Sequence, residues 1–356
     1  MRMRRVRLED ERGATLAIVA VALFVLLGTS AIVVDMGSLL VARRQIVQAV
    51  DSAAQAAALS CGFGYGQPDA DATAVTYAVA NASGAELTAG YPSYAPSCDA
   101  PFGRVTVEFT STEQHFFSQI LGAGPDGQVG WRATGLWGAA AGGAGMMPFM
   151  LSAGRLSSCE IPPPDPDAMV RQQCQFAFNN HDIGNAQWGG MNLNQWNVAA
   201  TAGCSSAGTS QSISWIRGST APLLTTNYPA PTYVCRDTGM ATPVWQELGA
   251  LAGETRMFPV NDPTGVAGPG HGQVDASGAL CPPPCSPHKY DIVGFAQLKI
   301  ISVKRGNQGG SVSCPGLPSD PNSWCLVTEW VGYSTSPGSE PVDAPNYGVV
   351  AVRLDA

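Results

Sequence analysis

Ala14 to Val34 reads ATLAIVAVALFVLLGTSAIVV, a run of 21 uncharged and mostly apolar residues. In a helix rising ~1.5 Å per residue such a run spans about 30 Å, the hydrocarbon thickness of a bilayer. Arg2, Arg4, Arg5, Arg7 and Arg12 precede it, against Arg43 and Arg44 in the stretch that follows. Glu9, Asp10 and Glu11 soften that asymmetry but count little in topology. The pattern predicts a retained single-pass anchor in a cytoplasmic (inner) membrane, amino terminus inside and the remainder exported. A cleaved signal peptide is the competing reading, with small residues at Gly28, Ser30 and Ala31. The run is longer than the roughly 7–15 apolar residues of a usual signal core.

The cysteines agree with export. All ten lie at or beyond Cys61: Cys61, Cys98, Cys159, Cys174, Cys204, Cys235, Cys281, Cys285, Cys314 and Cys325. An even set on an exported chain reads as disulfides, which persist where no thiol pool reduces them. Nearest-neighbour pairing is the simplest guess: 61 with 98, 159 with 174, 204 with 235, 281 with 285 and 314 with 325. Cys281, Cys285 and His288 also have metal-like spacing, but only three ligands cluster there and structural zinc takes four. No metal and no cofactor are expected.

Residues 1–12 carry five positive and three negative charges, and the rest of the chain 14 positive and 24 negative. An acidic ectodomain with only Lys289, Lys299 and Lys304 as lysines offers no basic patch, which excludes nucleic-acid binding. Hydrophobic residues make up 45%, enough for a packed core, while glycine and proline together form nearly a fifth and favour loops.

The helix is expected to continue outside the membrane, since 38–60 holds neither proline nor glycine and is rich in alanine. Arg44, Gln48, Ser52 and Gln55 form a polar stripe, opposed by Ile46, Val50, Ala53 and Ala57. Small residues at this spacing permit close helix approach. The alanine stripe therefore serves either self-association or packing on the chain's own domain. Gly62, Gly64 and Gly66 stop the helix.

Residues 69–83 predict a second helix with Ala72, Val75, Val79 and Ala82 on one side. Arg104–Thr110 reads as a strand, Glu113–Leu121 as a helix and Gln128–Ala140 as another strand. Residues 142–145 (GGAG) look like a flexible joint. Beyond it, 153–288 is dense in cysteine and proline, with short helices expected at Ala168–Phe178 and Pro243–Leu251. Tyr290–Lys304, Trp324–Tyr333 and Tyr347–Leu354 read as strands, expected to extend the amino-terminal sheet.

The fold class expected is α+β: a long transmembrane helix continuing outside the membrane, and a pilin-like antiparallel sheet carrying a disulfide-rich, loop-rich insertion. The boundaries are a tail at 1–13, the span at 14–34, a stem at 35–60, an α+β unit at 61–150, a Cys/Pro-rich region at 151–288 and a β segment at 289–356.

Residues 11–14 (ERGA), 33–37 (VVDMG) and 42–54 (ARRQIVQAVDSAA), with Tyr77–Asn81, Val105–Phe109, Phe116-Phe117 and Trp131–Thr134, follow one rhythm. In this the amino-terminal part, to about residue 150, resembles the TadE/TadG-like family of Flp (tight adherence) pilus-assembly proteins. The resemblance implies an envelope protein that builds, anchors or caps a thin pilus, with Tad secretion-platform proteins or minor pilins as partners. Two features depart from pilus-family patterns. Ile18 stands where a prepilin processing site has glutamate, counted from Gly13, which argues against a major pilin. The metal-dependent adhesion motif Asp-x-Ser-x-Ser of some TadG-like proteins is also missing, its nearest approach being Asp275-Ala276-Ser277-Gly278-Ala279.

Little else points to chemistry. His115, His181, His271 and His288 form no His-Glu-x-x-His pattern, and no nucleophile elbow or phosphate loop is present. The adjacent pair His181–Asp182 points apart on an extended loop. The expectation is a non-enzymatic component working through protein contacts, with Asp35, Arg43, Arg44 and Asp51 as candidate stem contacts. The alternative is an anchored adhesin or cell-wall or glycan binder, with Trp188, Trp196, Trp215 and Trp245 as stacking faces.

Overall fold

The computed structural model describes residues 11–114, 117, 126–157, 173–179, 188–218, 223–237, 241–263, 271–281, 287–305, 323–331, 334–335 and 339–355. Its first element, α1 (Glu11–Gly62), is one unbroken helix of 52 residues. The stop is a Schellman turn. Gly64 takes φ +76°, its N–H donates to the Cys61 carbonyl at 2.9 Å, and Tyr65 N–H donates to the Ser60 carbonyl at 3.0 Å. Glycine is the residue that enters this left-handed position without a Cβ clash.

The helix α2 (Gln67–Asn81) returns antiparallel to α1. Ser60 Oγ donates to Thr73 Oγ1 at 3.4 Å, and Asn81 Nδ2 to Ser52 Oγ at 3.0 Å. Its buried face is Ala70, Ala74, Ala78 and Ala82, whereas Val75 and Val79 of the expected stripe are exposed. Methyl side chains let two helices approach closely, so the all-alanine stripe takes the inner face in place of the bulkier valines.

The strands and short helices follow in chain order: β1 (Glu86–Leu87), β2 (Ser93–Ala95), β3 (Gly103–Gln114), β4 (Asp126–Ala140), β5 (Gly142–Gly143), β6 (Phe149–Ser152), α3 (Ala153–Ser157), β7 (Gln173–Asn179), β8 (Trp188–Val198) and α4 (Thr209–Ile216). Then come β9 (Leu224–Thr225), β10 (Tyr233–Arg236), α5 (Thr242–Ala250), β11 (Thr255–Asn261), β12 (Lys289–Arg305), β13 (Ser323–Trp330), β14 (Ser334–Thr335), β15 (Pro341–Val342) and β16 (Val349–Asp355). One sheet runs β1-β3-β4-β16-β14, with β2 on β3 and β15 on β4. A second runs β10-β8-β6-β11-β12-β13-β7, and β10 also pairs with β12. That extra pairing closes β12, β10, β8, β6 and β11 into a ring, because Lys289–Asp291 of the long β12 bond β10 while residues 292–299 bond β11.

The chain divides into two compact units: 1–54, 74–93 and 106–133, and then 55–73, 94–105 and 134–356. In the first, Ile46, Ala49, Val50 and Ala53 of α1 are buried together with Ala74, Ala78, Val107 and Phe109. Arg132 on β4 bridges Glu108 on β3 at 2.6 Å and lies over the Tyr91 ring. In the second, Trp137 is fully buried and donates from Nε1 to the Ala100 carbonyl at 3.0 Å. A larger core gathers Phe149, Phe178 and Trp324 around Trp245, with ring centroids 5.0, 5.2 and 5.6 Å away. The Arg217–Glu247 pair ties the end of α4 to α5.

Several expectations are corrected here. Residues 173–178 form strand β7 instead of helix: Cys174, Phe176 and Phe178 are buried at every second position, the period of a strand. Glu113 and Gln114 close β3, and the rest of that expected helix, Phe117 apart, lies outside the described residues. Gly142–Gly143 is a buried strand paired with β9, not a joint, and a Cβ on Gly142 would stand 2.2 Å from the Leu224 carbonyl. The Cys/Pro-rich region supplies β6, β7, β8, β10 and β11 to the second sheet, so it is much less a loop than its composition implies. Finally, the carboxy-terminal strands divide, β14–β16 joining the first sheet and β12–β13 the second.

Disulfides join Cys61 to Cys98 and Cys204 to Cys235, across separations of 37 and 31 residues. Cys281 and Cys325 are also disulfide-bonded, and Cys174 is buried in β7. Cys159, Cys285 and Cys314 lie outside the described residues. Closing a loop of this length stabilises a fold by about 3–4 kcal/mol in the chain-entropy account. The double variant Cys61→Ser/Cys98→Ser should lower the urea midpoint of the full chain in detergent micelles by a corresponding amount.

Candidate functional site

The site implied by the sequence is α1 itself. Leu16, Phe24, Leu27 and Val33 of its apolar segment are all more than two-thirds exposed. The helix is long and apolar enough to cross a membrane. Thr29 Oγ1 donates to the Val25 and Leu26 carbonyls, each at 3.0 Å, which satisfies a polar group without water.

The apolar run ends at Asp35, which is 5% exposed. Its carboxylate accepts the backbone N–H of Phe117, at 3.0 Å on Oδ2 and 3.3 Å on Oδ1. Past Asp35 the helix becomes two-faced. Ala42, Ile46, Ala49, Val50, Ala53 and Ala57 are buried, while Arg43, Arg44, Gln48 and Gln55 are exposed and Asp51 is half-buried. Of the four candidate contacts, the structure thus leaves Arg43 and Arg44 facing outward and takes Asp35 into an internal bond. The alanine stripe is buried within the chain itself.

A second polar cluster escaped the sequence reading. Asp291 on β12 is fully buried and accepts from Thr232 N–H at 3.0 Å and Gly272 N–H at 3.0 Å. His271, also buried, places Nδ1 2.8 Å from Asp291 Oδ2 and Nε2 3.0 Å from the Pro229 carbonyl, and stacks on Tyr228. A carbonyl only accepts, so Nε2 carries a proton, and one further proton is shared between Nδ1 and the carboxylate. Burial raises the Asp291 pKa above the usual carboxylate range, opposed by the Gly272 amide and by His271. Tyr347 nearby is also raised, first by burial and then by the charges of Asp262 and Tyr228.

His271 and Asp291 resemble the base and orienter of a catalytic pair, but Nε2, the atom such a base would use, is occupied by the Pro229 carbonyl. The arrangement is a cross-link between β12 and the segments at 229–232 and 271–272. It was not legible because its members are far apart in sequence and form no spaced motif. The His181–Asp182 pair lies outside the described residues. Cys281, one of the three residues with metal-like spacing, is disulfide-bonded, which removes its thiolate as a ligand. Among the candidate stacking faces, Trp215 and Trp245 are buried, and Trp196 stacks on Phe295 while donating to the Thr225 carbonyl.

Asp291→Ala leaves two buried amides without an acceptor and should cost about 3 kcal/mol in denaturant unfolding. Asp291→Asn, which keeps one acceptor, should cost distinctly less.

No curated protein and no solved structure matches this chain. Residues 13–60 match the family described as putative Flp pilus-assembly TadE/G-like. The match stops near the end of α1, so the resemblance expected for the later segments, from Tyr77 to Thr134, falls outside it. The amino-terminal helix of this chain is thus similar, over residues 13–60, to the family described as putative Flp pilus-assembly TadE/G-like.

Proposed function

We propose that the chain is a membrane-anchored, non-enzymatic component of Flp/Tad-type pilus assembly. Its amino terminus stays in the cytoplasm, α1 crosses the inner membrane once, and the acidic, disulfide-braced remainder works outside through protein contacts. One observation carries the reading. The family match at 13–60 coincides with a single helix whose first part is uncovered and apolar and whose second part is packed on one face only. The arginine asymmetry about the span supports the orientation. The capped imidazole of His271 supports action by contact instead of catalysis.

The open face of the stem, with Arg43 and Arg44, is the surface we assign to Tad secretion-platform proteins or minor pilins. Both arginines are exposed, so reversing them changes recognition and leaves the alanine packing intact. In membranes crosslinked before solubilisation, the tagged chain should co-purify with platform proteins or minor pilins. Arg43→Glu/Arg44→Glu should reduce that recovery at least several-fold while the Cys61–Cys98 bond still forms. Normal piliation and attachment in a clean deletion would contradict the reading.

A further inference from the structure

At the outer end of the apolar run the structure carries a feature that a simple anchor does not need. Asp35 directly follows Val34, so at ~1.5 Å per residue it stands at the level where the span meets the headgroups. The Phe117 amide donates to its carboxylate, at 3.0 Å on Oδ2. That bond holds Phe117 at the same level. The Phe117 side chain is nevertheless 40% exposed.

The other side of α1 is apolar at this height too. Met36, Leu40 and Val41 are 60%, 59% and 55% exposed, although all three lie beyond the apolar run. At 100° per residue they point away from the face of Asp35, which lies in line with the buried Ala42, Ile46 and Ala53. Phe117 therefore extends apolar surface on the inner side of the helix, and Met36, Leu40 and Val41 extend it on the outer side. The two parts surround α1 where it emerges.

We propose that these residues form a lipid-facing collar, seated in the boundary between headgroups and acyl chains of the outer leaflet, with Asp35 as the residue that positions Phe117. The inference rests on α1 crossing the bilayer. Its occupant is lipid because the collar is continuous with the span. Aromatic and large apolar side chains partition into this boundary. Internal hydrogen bonding of the buried Asp35 carboxylate fits the same place, since a carboxylate facing lipid without a donor would be costly. The collar fixes how closely the ectodomain sits against the membrane.

The test replaces single residues by the photo-crosslinker p-benzoylphenylalanine in the full chain. The positions are Phe24 in the span, Phe117 in the collar and Leu223, which is 72% exposed in the second unit. The protein is placed in vesicles of phosphatidylcholine and phosphatidylglycerol, illuminated, and its peptides are weighed for lipid adducts. Adducts are expected at 24 and 117, with at least a several-fold lower yield at 223. Asp35→Ala should cut the yield at 117 several-fold and leave that at 24 unchanged, with the Cys61–Cys98 bond intact as the check on folding. Adducts at 24 with none at 117, or equal yields at 117 and 223, would overturn the collar while the span stands. No adduct at 24 would overturn both. An unchanged yield at 117 in Asp35→Ala would remove Asp35 from its positioning role.

Discussion

A backbone N–H or C=O inside a bilayer finds no water, so an apolar run that crosses one must satisfy every one of its own hydrogen bonds, and a helix does so within a single segment. The uncovered, apolar part of α1 fits that constraint. The helix begins at Glu11 and continues without a break through the apolar run and Asp35 and along the stem to Gly62. Across this length its environment changes while its backbone geometry does not. The uncovered segment depends on apolar side chains all round, and the stem depends on an alanine stripe that fits closely against its neighbours. The Schellman turn at Gly64 then ends the helix and redirects the chain into α2.

The remainder holds itself together by other means. The Cys61–Cys98 bond closes a segment that includes α2, β1 and β2. In the second sheet, the 17-residue β12 bonds three different strands along its length and supplies both the ring closure and Asp291. Two glycines allow close packing beside β12 and β13. Gly294 lies under the Tyr347 ring, and a Cβ there would stand 2.8 Å from it. Gly348, at φ +96°, lies against Trp330, where no larger residue fits.

Much of this architecture was legible because it is periodic. α1, α2 and α5 show helical spacing, while β3, β4, β12, β13 and β16 show β-branched or alternating runs. What escaped is non-local. β7 carries glutamine and alanine that suit a helix, and only its pairing with β13 decides for strand. β6, β8 and β10 are short or glycine-bearing strands that make sense once β11 and β12 are beside them. The Asp35–Phe117 bond spans 82 residues and His271–Asp291 spans 20, and neither follows a spacing rule. Within α1 the polar and apolar stripes of the stem were readable, as was Asp35 as a residue of interest. Its partner was not. For α2 the periodicity was right and the face was wrong, because valine hydrophobicity outweighed the closeness that alanine permits.

The functional account stands on the continuity of span and stem, since this is the segment that matches pilus-assembly proteins. On the proposed placement, an unbroken helix would pass position and orientation from the membrane to the outer surface of the stem, whereas a hinge at the membrane exit would uncouple them. Hydrogen–deuterium exchange of the full chain in lipid nanodiscs tests this most directly. Slow exchange running from Thr15 to Leu59, with no fast break between Asp35 and Val41, is the predicted result. Fast-exchanging amides within 35–41, between two protected stretches, would contradict it.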